Sequence, residues 1–137
     1  MSCRFFRDIG MERAEERTEV PAFTEFADRV FPGLEKGGFH AAYYRVLEAF
    51  ARGRIRRLMV TIPPQHGKSL GATTLLPAYM LGLDPDLKIA IASYSAALAN
   101  RFNKRVQRIM DSALYRALFP GTSIKRAGER SDYVRTA

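Results

Sequence analysis

Arg56-Arg57-Leu58-Met59-Val60-Thr61-Ile62-Pro63-Pro64-Gln65-His66-Gly67-Lys68-Ser69 sets a short apolar strand, a tight loop and a helix-opening Gly-Lys-Ser in succession. A phosphate-binding loop needs that order. Successive backbone N–H groups at a helix start point into one concavity, and the helix dipole adds partial positive charge there. In the pattern G-x-x-x-x-G-K-[ST], Lys68 supplies a full positive charge to the outer phosphates and the Ser69 hydroxyl ligates Mg²⁺. The first glycine of that pattern falls on Ile62, and Pro63 and Pro64 have no N–H to donate. The donors are therefore expected from Gln65, His66, Gly67, Lys68, Ser69 and Leu70, a stiff, one-sided cradle for the phosphates of a nucleotide.

On either side of this stretch the pattern is that of an α/β chain. The helix after Ser69, Leu70 to Leu81, is apolar nearly all round and should be buried, with Pro77 kinking it or starting a new turn. Gly82-Leu83-Asp84-Pro85-Asp86 is a turn. Leu87 to Tyr94 is an almost unbroken apolar run, expected as a strand buried on both faces in a parallel sheet. Strand, loop, helix, turn and strand then form one βαβ unit with a right-handed crossover.

Upstream, residues 1–20 are charged and mixed, and are expected to be an arm. Thr24 is placed to cap a short helix to Phe31, ended by Pro32-Gly33. A helix from about Phe39 to Arg52 carries Tyr43, Val46, Leu47 and Phe50 at helical spacing, with Gly53 at its end. Arg52, Arg54, Arg56 and Arg57 cluster before the strand, either as a solvated strand entrance or as a contact to phosphates. Downstream, Ser93 or Ser95 should cap a helix from Ala96 to about Ser112. Leu98, Phe102, Val106, Ile109 and Met110 share one face, and Arg101, Lys104, Arg105 and Arg108 the other. That basic face is either solvated or a DNA-backbone contact. Tyr115, Leu118 and Phe119 extend the apolar pattern to Pro120-Gly121.

The 137 residues are enough for one domain with a core, and 47% hydrophobic content agrees. Twenty-two basic against 14 acidic residues give +8, which favours a polyanionic partner. One cysteine, Cys3, excludes an internal disulfide. No apolar run approaches the roughly 20 residues that span a bilayer, and no secretory signal is legible, so the expected setting is cytoplasmic. A P-loop ATPase also needs an acidic residue at a strand end to hold Mg²⁺. After the loop the acidic residues are Asp84, Asp86, Asp111, Glu129 and Asp132, and none follows an apolar strand. The chain is expected to hold the nucleotide grip without the hydrolytic half.

With these residues in view, the chain resembles the N-terminal part of a bacteriophage terminase large subunit, the ATPase that packages DNA into proheads. The similarity runs from Phe39-His40 through Leu118-Phe119-Pro120. It rests on Pro63-Pro64-Gln65-His66-Gly67-Lys68-Ser69, Leu76-Pro77-Ala78-Tyr79 with Asp84-Pro85-Asp86, Ile91-Ala92-Ser93-Tyr94-Ser95 with Leu98-Ala99, and Tyr115 through Pro120. The resemblance implies an incomplete P-loop NTPase sheet of the ASCE type, flanked by helices, over residues 21–137. It implies Lys68 as the catalytic cation, Gln65 to Leu70 as the ATP phosphate loop and Ser69 on Mg²⁺. The helix carrying His40 would lie near the adenine, and the Ala90–Ser95 strand end at the edge of the ATPase site. By family the partners are double-stranded DNA, a small terminase subunit and a portal protein, in a homo-oligomeric ring within the host cytoplasm. Family members continue into an acidic Mg²⁺ strand, a catalytic glutamate and a nuclease domain. Their absence before Ala137 is read as a truncated gene, a prophage remnant or a split protein, with ATP turnover by this chain alone not expected. The alternative is a non-catalytic remnant or basic DNA-binding module. A helicase or nucleotide kinase ranks below both, because neither the Gly and Thr of a helicase loop nor the basic lid of a kinase is present.

Overall fold

The computed structural model describes residues 20–34, 37–122, 124–125 and 135–136. The charged N-terminal arm expected over residues 1–20 lies almost wholly outside them. The elements are helices α1 (Phe23–Val30), α2 (Gly38–Ala51) and α3 (Lys68–Leu70), a π-helical turn (Gly71–Leu75), and helices α4 (Leu76–Leu83), α5 (Ala96–Asp111) and α6 (Ala113–Leu118). A two-residue antiparallel pairing joins β1 (Ile124–Lys125) and β2 (Arg135–Thr136).

An aromatic cluster where α1, α2, α4 and α6 meet holds the helices together. Phe23 lies edge-on to Tyr44 and Tyr79, with ring centroids 5.4 and 5.2 Å apart. Phe26 lies 5.4 Å from Tyr79 and 5.8 Å from Phe119, and Tyr115 lies 4.9 Å from Phe119. All six rings are buried. Edge-to-face aromatic pairs add to the stabilisation from area burial. The hydroxyls of Tyr79 and Tyr115 donate to carbonyls. The Tyr79 hydroxyl donates to Pro21 O (2.8 Å) and accepts from Arg52 (3.0 Å), and the Tyr115 hydroxyl donates to Ala78 O (2.8 Å).

Several helix boundaries follow the sequence pattern. α2 and α5 lie within a residue of their expected limits, and Gly53 takes φ +71° after α2. Pro77 falls in the first turn of α4, where its missing N–H costs little, so it starts a new helix rather than kinking an old one. Thr24 lies inside α1, whose N-cap is Ala22, and Ser95 precedes α5 without a side-chain cap bond. On α5, Val106, Ile109 and Met110 are buried while Arg101, Lys104, Arg105 and Arg108 are exposed.

The expected parallel sheet is not present among the described residues, and the α/β, ASCE-type P-loop fold class is corrected accordingly. This part of the chain is helical. Leu58–Ile62 and Leu87–Tyr94 are extended, but no backbone hydrogen bond joins one segment to the other. Each lays one face on the helices. Leu58, Val60, Ile62, Leu87 and Ile89 pack against the core, while Met59 (91% exposed) and Tyr94 (95%) stand in solvent. Residues 87–94 thus alternate between half-buried and exposed, instead of being covered on both sides. The apolar run reports a backbone that is extended and adheres to helices. A strand also requires a hydrogen-bonded neighbour at about 4.8 Å, and neither segment has one among the described residues. With no sheet there is no βαβ crossover.

Candidate phosphate-binding turn

Pro63 and Pro64 carry the chain from the extended segment into a tight turn, and α3 starts at Lys68. Two residues of the turn are left-handed: Gln65 at φ +63° and Gly67 at φ +72°. Glycine takes that conformation without penalty. Gln65 does not, and a non-glycine residue held there is a mark of over-determined local structure at functional turns. The His66 Nδ1–H donates to Pro64 O (2.7 Å) and closes the turn on itself. The first backbone bond of the helix runs from Gly71 N–H to Gly67 O (2.9 Å), and none of the N–H groups of residues 65–70 donates to another described backbone carbonyl. The donors named from the sequence are thus free of main-chain partners and crowded into one short bend. A helical column continues behind them from Lys68 to Leu83.

The side chains fit an anion site. Lys68 and Ser69 are exposed, Gly67 and Leu70 half-buried, and Gln65 and His66 exposed. The Lys68 ammonium folds back onto Ile62 O at 3.3 Å, and no carboxylate among the described residues forms an ion pair with it. Mg²⁺ is served less well. Ser69 offers one hydroxyl, and no group of three or more His, Cys, Asp or Glu side chains among the described residues could hold a metal ion. Asp84 and Asp86 lie beyond the far end of α4, about 24 Å along the helical column from Lys68 at 1.5 Å per residue. Any Mg²⁺ here would depend on the nucleotide's own phosphates for most of its ligands.

Helix α2 supports the turn from below. His40 is buried, and its Nδ1 accepts from Gly37 N–H (2.8 Å). That leaves Nε2 as the protonated nitrogen of the neutral ring, and Nε2 faces Gly67, where a Cβ would meet it at 3.4 Å. Phe39 stacks on His40 at 4.0 Å and reaches to 5.7 Å from His66, forming an aromatic rim beside the turn. Tyr43 reaches furthest: its hydroxyl donates to Lys68 O at 2.9 Å. The sequence marks Tyr43 only as one member of an apolar face and does not single out Phe39. Gly71, one turn beyond Lys68, is the one signal of a close neighbour.

The other sequence-marked positions are not brought to this turn by any contact. Ala90 and Ala92 face solvent, and Arg54, Arg56 and Arg57 are exposed. Arg52 pairs with Glu48 (2.9 Å) and Tyr79 and is structural. Among the described residues no helix is long and apolar enough to cross a membrane. No family model matches this chain, and neither the curated proteins nor the solved structures yield a match.

Proposed function

We propose that the chain binds ATP through residues 65–70, as the nucleotide-gripping part of a DNA-packaging motor of the terminase large-subunit kind. The observation that carries this is the Gln65–Ser69 turn. It presents adjacent N–H groups and an ammonium that have no main-chain acceptor and no carboxylate partner, respectively, among the described residues, at the head of a helical column. Such a bend binds phosphate by main-chain donors and one full charge, and needs no neighbouring sheet to do so. Lys68 meets the outer phosphates, and Ser69 meets the Mg²⁺ that arrives with them. The exposed basic residues of α5 supply a contact for duplex DNA.

Titration with a fluorescent ATP analogue and Mg²⁺ tests the proposal. Lys68→Ala should weaken binding at least about tenfold, one factor of ten per 1.4 kcal/mol of lost interaction. Equal binding by both proteins overturns the phosphate-loop role. No appreciable turnover is expected, and a rate of about 1 s⁻¹ would contradict that.

A second reading is favoured by α5 alone: a basic DNA-binding module without nucleotide chemistry. It predicts salt-sensitive DNA binding that Lys68→Ala leaves unchanged.

A further inference from the structure

Helix α3 does not run smoothly into α4. Between them Gly71–Leu75 forms a π turn, with backbone bonds one residue longer than in an α-helix. Such a turn has a cause where a side chain inserts into the i→i−4 ladder. In an α-helix the Lys68 carbonyl would accept from the N–H of Ala72. Here the Tyr43 hydroxyl donates to Lys68 O at 2.9 Å, and its oxygen lies beside the Ala72 N–H. One phenol from α2 thus ties the carbonyl at the head of α3 to the neighbouring helix.

The fit is close on every side. Tyr43 is 7% exposed. A Cβ on Gly71 would lie 2.7 Å from the Tyr43 Cε1 and 2.9 Å from its hydroxyl oxygen, closer than real Cβ contacts come. Only glycine at 71 leaves room for the ring. Burial pushes the phenol up to about 12, with neighbouring Tyr44 adding and the Ala72 N–H opposing, so the hydroxyl stays a donor across the working pH range. In the same turn the buried Thr74 hydroxyl has no hydrogen-bond partner among the described residues. That unpaired hydroxyl is a local cost carried by the turn.

We propose that Tyr43 is the positioning residue of the phosphate loop: its hydroxyl fixes the Lys68 carbonyl, and thereby the orientation in which Lys68 and Ser69 meet the outer phosphates of a nucleoside triphosphate. Without the hydroxyl, Lys68 O loses its tie to α2, the backbone at 68–76 is held less firmly, and the loop is free to re-aim relative to α4. This rests on nucleotide binding at residues 65–70.

Tyr43→Phe keeps the ring against Gly71 and removes only the hydroxyl. Two readouts are taken on the full chain, each beside wild type and Lys68→Ala. One is affinity for fluorescent ATP compared with fluorescent adenosine, which lacks phosphates. The other is hydrogen exchange of the amides at 68–76 without ligand. Tyr43→Phe should lose about tenfold in ATP affinity, keep its adenosine affinity, and exchange faster only at 68–76. Gly71→Ala, which expels the ring by a different route, should show the same selective loss. Unchanged ATP affinity and unchanged exchange in Tyr43→Phe overturn the proposal. An equal loss for ATP and adenosine also overturns it, because that is the signature of a merely structural residue. If wild type itself binds no ATP, the nucleotide reading fails and takes this one with it. If wild type binds and Lys68→Ala does not, a silent Tyr43→Phe sinks the positioning role alone.

Discussion

Alkaline pH should unfold this protein through its tyrosines. Tyr43, Tyr44, Tyr79 and Tyr115 are all buried, and burial is the largest cause raising each phenol above its ordinary value of 10.0. Tyr43 is pushed up to about 12. A folded-state value above the unfolded one means the folded protein holds its proton more tightly. The resulting stability is fully present below pH about 10 and is lost as pH rises through about 12. Two units at 1.36 kcal/mol each give about 2.7 kcal/mol for Tyr43 alone. At roughly 4 °C per kcal/mol for a domain of this size, Tm should fall by about 10 °C across that window, and further with the other three phenols. Arginines outnumber lysines here and keep their charge, so loss of net charge does not mask the effect. Thermal melts by circular dichroism, run alongside tyrosinate absorbance from pH about 9 to about 12, measure it. The tyrosinate signal of the buried phenols should appear together with the loss of helix. Tyr43→Phe should flatten the alkaline limb by about 1.4 kcal/mol per pH unit. If the phenols ionise near their ordinary value while the helical signal is intact, the burial argument is wrong.

Three further outcomes are expected. Phe26→Ala empties the centre of the aromatic cluster and should cost about 3–5 kcal/mol in urea unfolding; a loss under about 1 kcal/mol would mean that the cluster does not hold the helices together. Gly67→Ala puts a Cβ on a left-handed residue facing His40 Nε2. It should cost about 1–2 kcal/mol of local strain and weaken ATP-analogue binding more than it lowers Tm. Replacing Arg101, Lys104, Arg105 and Arg108 by Ala should flatten the log–log salt dependence of duplex DNA binding by about 0.9 per phosphate contact removed; an unchanged slope would place the DNA contact elsewhere.

The helices were the legible part of the fold, because their periodicity reports a face, and a face is enough to predict burial. α2, α5 and the placement of Pro77 came from local pattern alone. The sheet was not legible, because strand pairing is a property of two segments. Leu58–Ile62 and Leu87–Tyr94 have the apolar content of strands, but a helix surface takes up an extended apolar face as readily as a sheet does. The tight turn before Lys68 was readable from its glycine and prolines, whose backbone demands are specific. Tyr43 was not. Its ring obeys the helical spacing of α2, while its hydroxyl acts on a helix 25 residues away.

The two extended segments also bear on how the protein behaves at high concentration. Their backbone groups are not bonded to each other, and each has an outer row that includes Met59, or Ala90, Ala92 and Tyr94, in water. Such rows are templates for a neighbouring molecule. A net charge of +8 keeps copies apart while their fields extend about 10 Å at 0.1 M salt, but that reach shrinks to about 3 Å at 1 M. Concentrated salt should therefore cloud the solution rather than clear it, and added polyanion at modest salt should not substitute for the lost repulsion.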